Sequence, residues 1–385
     1  MEIKFCGVTL EQETAYALRD ILNEGSCERL KHLSFSSCRG FGIQKALSTD
    51  TIKTPLESIR IEATEVGRLG LDPLWLYVQH SKHLQKLQFY EASVVENSSG
   101  VLLALTTTRS LRFLELSYCI FDDPSVEIFA LALAKNQSLY TLCIIAGELD
   151  DSQLACILSN LSHSKLKILK LPRNYLEQRG AVALGRLLDA DSTCQLASLD
   201  LSHQHAERAS KLDCNIFLQQ LSTNQTLTSL NLSFCKLNNN DATVLATYLA
   251  PNQTLQDLDL RSNNIQDEGI LALAEYLRSS PPLKKIFLFG NPFRETGAAA
   301  LYKAIEVNTI LQILNMGYTS CYYDLVQFYT CLNRGGRGLL SQDPNPAIWP
   351  LVFERGEAVS RTARGTCSDA DLIFQLLHGP VLMFL

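Results

Sequence analysis

A nine-residue leucine pattern, LxxLxLxxN or a near variant, recurs eleven times along the chain and constrains its fold more than any other feature. Its clearest copy consists of Leu255, Leu258, Leu260 and Asn263. Successive copies begin 26 to 31 residues apart, at Leu30, Leu56, Leu84, Leu111, Leu139, Leu166, Leu196, Leu227, Leu255, Leu283 and Leu311. Leucines placed by chance would not keep this period, so the pattern predicts a tandem array of one structural unit.

The residues within and between the copies predict one strand and one helix per unit. Inside each copy the aliphatic residues alternate with other residues, which is typical of a half-buried strand. Segments between copies, such as 241–249 and 297–305, have apolar residues three and four apart, which is typical of a helix packed on a sheet. Because one unit cannot bury its apolar face alone, the units must stack, and the predicted fold class is α/β: a solenoid with a parallel concave sheet and convex helices.

Units of about 28 residues that include a full helix resemble leucine-rich repeats of the ribonuclease-inhibitor type. The segments 224–227 and 252–255, both Asn-Gln-Thr-Leu, carry the same resemblance, which covers roughly residues 1–320. It implies a horseshoe-shaped array that binds proteins. The segment 333–338, Asn-Arg-Gly-Gly-Arg-Gly, and the Trp-Pro pair at 349–350 are also similar to algal leucine-rich-repeat proteins, which implies no mechanism.

Three segments are expected along the chain. Residues 1–29 are predicted to form a truncated capping unit, residues 30–320 the eleven repeats, and residues 321–385 a helical carboxyl-terminal cap with helices near 322–332 and 368–378. Such caps are expected because the open ends of a repeat array would otherwise expose its core.

The last position of the pattern predicts how regular the turns are. It holds Asn or Cys in six copies, at Cys38, Cys119, Asn174, Cys235, Asn263 and Asn291. In the other five it holds Thr64, Ala92, Gly147, Gln204 and Thr319. We therefore expect the amino-terminal units to lack a complete side-chain hydrogen-bond ladder and to have less regular turns.

Composition and motifs exclude several function classes. A net charge of -6 argues against a nucleic-acid partner, and no apolar run is long enough to predict a membrane span. No phosphate-binding, serine-hydrolase, metalloprotease or kinase motif is present, so the sequence predicts neither an enzyme nor a cofactor. His203 and His205 form an HxH pair without a third ligand, so no metal site is expected.

The cysteines and the amino terminus suggest a compartment. The twelve cysteines include no Cys-x-x-Cys pair, and the chain begins without an apolar signal-like segment. The prediction is a monomer with reduced thiols in the cytoplasm, with the nucleus as the alternative.

The outward positions of the strands are the candidate binding surface, because they do not have to carry the core. In the carboxyl-terminal half these positions and the residues just beyond them are rich in aromatic and charged side chains, a composition typical of protein-binding hot spots. The predicted concave-face site is Asp200, Phe234, Asp257, Asp259, Arg261, Lys285, Phe287, Phe289 and Tyr318. The alternative is an ordinary polar face with scattered aromatic residues.

The amino-terminal half offers a second set of outward residues. It comprises Lys86, Gln88, Tyr90, Phe113, Glu115, Ser117 and Tyr118. A curved sheet with a few half-buried aromatic residues explains this set better than a second contact area, since isolated apolar surface residues need no function.

The favoured hypothesis is a non-enzymatic scaffold that binds a protein partner of unknown identity. One alternative is a GTPase-activating protein, because activators of the nuclear-transport GTPase resemble this array in length and repeat number. Those activators end in a long acidic run, whereas residues 353–385 mix acidic and basic side chains. A second alternative is a substrate adaptor of a ubiquitin ligase, although no F-box-like segment precedes the repeats.

Overall fold

The chain forms two compact units, Met1–Ser210 and Lys211–Leu385, here called the amino unit and the carboxyl unit. The structure is a computed structural model. It describes residues 1–8, 11–24, 28–38, 46, 53–62, 72–91, 98–204, 214–317 and 320–338.

In the described part of the amino unit, eight parallel strands pair with their neighbours in sequence order. The strands are β1 (Glu2–Cys6), β2 (His32–Ser36), β3 (Ser58–Glu62), β4 (Lys86–Tyr90), β5 (Phe113–Ser117), β6 (Thr141–Ile145), β7 (Ile168–Lys170) and β8 (Ser198–Asp200). The helices between them are α1 (Gln12–Glu24), α2 (Asp72–His80), α3 (Ser98–Thr107), α4 (Asp123–Lys135), α5 (Asp151–Ser159) and α6 (Gln178–Leu188).

The carboxyl unit has the same strand and helix alternation over its described residues, 214–317 and 320–338. Its helices are α7 (Asn215–Leu218), which continues as a 3-10 helix over Gln219–Ser222, α8 (Asn239–Leu249), α9 (Asp267–Arg278), α10 (Glu295–Val307) and α11 (Tyr323–Gly335). Four parallel strands pair in sequence order: β9 (Ser229–Asn231), β10 (Asp257–Asp259), β11 (Lys285–Phe287) and β12 (Ile313–Asn315).

These elements confirm the predicted fold class, an α/β leucine-rich-repeat solenoid. Each of the eleven strands β2 to β12 begins two residues after the first leucine of its copy, and β1 adds a strand in the predicted capping segment. The division at 29/30 and 320/321 stays a prediction. The predicted helix at 368–378 lies outside the described residues.

The core consists of the inward leucines, stacked from one repeat to the next. Leu258 of β10 lies in register between Leu230 of β9 and Ile286 of β11, and all three side chains are buried. Burying one such side chain contributes about 1.5–3 kcal/mol, so each repeat is stabilised mainly by its neighbours. In the part of the chain that the structure describes, no helix is long and apolar enough to cross a membrane.

The asparagines at the last position of the pattern join adjacent turns. The Asn263 side-chain amide donates hydrogen bonds to the carbonyl oxygens of Leu232 and Leu260, both at 2.9 Å. Its oxygen accepts from the backbone N–H groups of Cys235 at 2.9 Å and Leu237 at 3.1 Å. One buried side chain therefore satisfies four backbone groups in two repeats.

Gln204 is one of the five residues at the last position of the pattern that are neither Asn nor Cys, yet it takes part in the hydrogen-bond ladder. Its Nε2 donates to the carbonyl oxygen of Leu171 at 2.6 Å, and its Oε1 accepts from the N–H of Leu176 at 3.2 Å. The Asn174 amide makes the equivalent bonds to Ile144 and Leu171. The ladder therefore continues through Gln204, whose side chain bonds to two backbone groups of the preceding repeat.

A second set of buried asparagines lies where each helix leads into the next strand. Asn252 donates to the carbonyl oxygen of Leu221 at 2.6 Å and accepts from the N–H of Leu255 at 2.8 Å. Asn136 and Asn308 make the same kinds of bonds. Because Asn136 and Asn252 are buried and hydrogen-bonded, their role is structural.

Replacing Asn263 with alanine tests the ladder. We expect Asn263→Ala to lower the free energy of unfolding by about 2–4 kcal/mol, because it leaves buried backbone donors and acceptors without partners. Urea unfolding followed by circular dichroism measures the change. The control Asn240→Ala, at an exposed position of α8, should change it by less than about 0.5 kcal/mol. Equal effects of the two substitutions would contradict the structural role of the ladder.

Candidate functional site

The predicted site residues on adjacent strands of the carboxyl unit form one surface, here called the carboxyl patch. It consists of Phe234, Asp257, Asp259, Arg261, Lys285, Phe287 and Phe289. The parallel register places Asp257 beside Lys285 and Asp259 beside Phe287. These side chains lie on the face of the strands opposite the buried leucines, because side chains alternate along a strand.

The four charged residues of the carboxyl patch form two ion pairs. Lys285 Nζ lies 3.0 Å from Asp257 Oδ2 across the two strands. Arg261 Nε donates to both carboxylate oxygens of Asp259 at 2.9 Å. These hydrogen bonds with Asp259 raise the pKa of Arg261. The charges of the patch therefore balance within it.

Asp259 also has a structural role that the sequence did not indicate. Its Oδ1 accepts a hydrogen bond from the backbone N–H of Arg261 at 3.0 Å, which fixes the turn that follows the strand. Asn231 makes the same bond to Ser233 at 3.0 Å, and Asp200 to Ser202 at 2.9 Å. The need to fix this turn therefore explains in part why an acid or an amide occupies this position.

The aromatic residues of the patch differ in their exposure. The Arg261 guanidinium carbon lies 5.5 Å from the centre of the Phe287 ring, so the Phe287 side chain is half covered. Phe289 is 55% exposed, and its ring lies against Gly317, where an added β-carbon would be 3.2 Å from the ring. Gly317 has a φ of +91°, which glycine adopts readily, and its lack of a side chain leaves room for the exposed ring.

Phe234 lies at a position where the repeat requires left-handed backbone. Its φ is +57°, and its N–H donates to the carbonyl oxygen of Arg261 at 2.9 Å. Ser262 makes the equivalent bond to Phe289 in the next repeat, and Gly290 occupies the position after that. Glycine adopts this conformation without the cost of about 1 kcal/mol that other residues incur. A 46% exposed phenylalanine at such a position is a candidate contact residue.

Two predicted site residues are not part of the carboxyl patch. Asp200 belongs to the amino unit, where it ends β8. Tyr318 lies outside the described residues, as does His205 of the HxH pair.

The second set of outward residues is brought together in the amino unit. The Lys86 ammonium lies 4.8 Å from the centre of the Phe113 ring. Gln88 donates to Glu115 at 2.7 Å, and the rings of Tyr90 and Tyr118 meet edge to face at a centroid distance of 5.1 Å. These residues contact one another within the sheet face.

Arg173 is a neighbour of this set that the sequence interpretation missed. Its Nη1 donates to the Tyr118 hydroxyl at 3.4 Å, and its backbone has a φ of +57°. Burial lowers the pKa of His203, and the nearby charge of Arg173 lowers it further. Their position in the repeat could have revealed this grouping in the sequence, since Tyr118, Arg173 and His203 are each the eighth residue of their copy.

Cys143 lies in the middle of the outward row of the amino unit but is not a reactive thiol. It is next to Glu115 on β5 and Lys170 on β7. Burial raises its pKa to about 12, so the thiol is protonated at neutral pH. This outward row can therefore pack and form hydrogen bonds, which are the interactions by which proteins recognise one another.

Comparison with known families identifies the repeat. Residues 223–246 and 252–274 match the family model described as Leucine Rich repeat. Leucine-rich repeats generally mediate protein–protein interaction. A comparison with curated proteins finds no match.

The chain is similar to several solved structures. An internalin from Listeria monocytogenes is 14% identical with a TM-score of 0.45, and the match covers 83% of this chain and 87% of that one. The TLR13 structure in complex with ssRNA13 is 18% identical with a TM-score of 0.46, and the match covers 76% of this chain and 40% of that one. Leiomodin-1 Actin-Binding Site 2 is 21% identical with a TM-score of 0.29, covering 33% of this chain and 78% of that one.

Two substitutions separate the roles of Asp259. We expect Asp259→Asn to change the free energy of unfolding by less than about 0.5 kcal/mol, since an amide can keep the turn and the ion pair to half-exposed Arg261 contributes little. Asp259→Ala should lower it by about 1 kcal/mol, because the N–H of Arg261 loses its acceptor. Urea unfolding of both variants checks this, and equal losses would show that the ion pair, and not the turn, is the stabilising interaction.

Proposed function

We propose, on the premise that this chain is a leucine-rich-repeat protein, that it is a non-enzymatic scaffold that binds a folded protein through the carboxyl patch on the concave face of its repeats. Asp200 and Tyr318 stay proposed as further protein contacts. No cofactor, nucleic acid or membrane takes part in this proposed function.

The observation that carries the proposal is that Phe289 is exposed beside two ion pairs, Lys285–Asp257 and Arg261–Asp259. An exposed aromatic side chain that a glycine of the next repeat leaves uncovered gains apolar burial when a partner covers it. Aromatic and arginine side chains also dominate the binding energy of protein interfaces.

The carboxyl patch is ordered before a partner arrives. Arg261 is fixed by Asp259 and lies over Phe287, and Lys285 is fixed by Asp257. Side chains that are already held lose less conformational entropy when they bind. Since the patch has balanced charges, the proposed partner presents a mixed surface, with hydrogen-bond acceptors for Arg261 and Lys285 and an apolar pocket for Phe289.

We propose the cytoplasm as the location, with the nucleus as the alternative. The described Cys143, Cys156 and Cys194 are free thiols, as expected for a chain in a reducing compartment.

A double substitution tests the patch. The variant Asp257→Ala/Phe287→Ala should lose capture of the partner, because it removes the acceptor of Lys285 and the ring beneath Arg261. The chain is immobilised, exposed to lysate of its source cells, and the bound proteins are identified by mass spectrometry. A partner retained by wild type should fall at least tenfold in abundance with the variant.

The matched control carries Leu271→Ala/Glu275→Ala on α9, which removes one exposed apolar and one exposed acidic side chain from the helical face of the same unit. This control should keep the partner, and both variants should keep the circular dichroism spectrum of wild type. Unchanged capture by a folded Asp257→Ala/Phe287→Ala variant would overturn the proposed site.

A further inference from the structure

Helix α3 exposes an apolar side chain at the surface of the amino unit. No charged residue occurs between Ser98 and Thr107, and Leu103 is 51% exposed. Leu102, next to it, is only half-buried. The exposed side of α3 is therefore a candidate contact surface.

The exposed leucine of α3 belongs to a row that crosses three adjacent helices. Leu76 of α2, Leu103 of α3 and Leu131 of α4 each precede the first leucine of the next copy by eight residues. Because α2 packs on α3 and α3 on α4, these equivalent positions are neighbours. The exposed fractions of Leu76 and Leu131 are 37% and 50%. These three residues are here called the leucine row.

The leucine row ends at α4. At the equivalent positions of the next two helices, Leu158 of α5 and Leu188 of α6 are buried. The exposed leucines are thus not a general property of the repeat. They are confined to three consecutive helices of the amino unit.

The charges beside the leucine row complement each other. Glu127 and Lys135 lie four residues, about one turn, on either side of Leu131 along α4. Both are exposed, and neither forms an ion pair with a described residue. A two-fold axis along the leucine row would reverse the helix direction and place Glu127 of one copy opposite Lys135 of another.

We propose that the leucine row is an interface between two copies of this chain. Around that two-fold axis each leucine contacts its own counterpart, and the two ion pairs between Glu127 and Lys135 form at the same time. Uncharged α3 faces α3 of the second copy without repulsion. An interface that is its own complement is the requirement for a symmetric dimer. This proposal replaces the expectation of a monomer and does not depend on the carboxyl patch.

Sedimentation equilibrium of the full chain tests the proposal. Wild type should be a dimer at micromolar concentration, and Leu103→Asp should raise the dimer dissociation constant at least tenfold, because it buries two carboxylates at the axis. The control Leu271→Asp places the same group at an exposed leucine of α9 and should leave the dissociation constant unchanged. Circular dichroism confirms that each variant is folded.

Charge reversal tests the orientation of the two copies. Glu127→Lys and Lys135→Glu should each raise the dissociation constant, since each places like charges opposite one another at two symmetric points. The double variant Glu127→Lys/Lys135→Glu should restore the wild-type value. A wild type that stays monomeric, a dimer insensitive to Leu103→Asp, or a double variant as weak as either single variant would overturn the proposal.

Discussion

The structure depends on the burial of each repeat's leucines against the next repeat. A single strand and helix cannot remove their apolar faces from water, so Leu258 is stabilised only because Leu230 and Ile286 lie beside it. The backbone groups of the turns face the same constraint, and Asn263 meets it by bonding to carbonyl and N–H groups of two repeats. Core and ladder together fix the turns and leave the outward strand positions without a role in the core.

This separation allows the outward positions to differ between the two units. In the amino unit, Gln88, Glu115, Tyr90 and Tyr118 contact one another across the strands. In the carboxyl unit, the ion pairs of Lys285 and Arg261 leave Phe289 exposed. A surface whose polar groups are paired and whose aromatic ring is uncovered is suited to recognise a complementary surface.

The strands and the inward leucines could be predicted from the sequence because their period and alternation follow directly from backbone geometry. The roles of polar side chains could not. Gln204 joins the ladder through its longer side chain, and Asp259 fixes a turn besides pairing with Arg261. Both roles depend on neighbours in adjacent repeats. The exposure of Leu103 could not be predicted either, because the apolar pattern of a helix does not show which of its sides the next helix covers.

Photo-crosslinking from the position of Phe289 tests most directly whether the carboxyl patch is where a partner binds. A photoreactive phenylalanine analogue is introduced at Phe289 or, as the control, at Leu271 of α9, and each chain is irradiated in lysate of its source cells. The account predicts a covalent adduct with one protein from position 289 and none with that protein from position 271. An adduct with the partner from position 271 alone would contradict it.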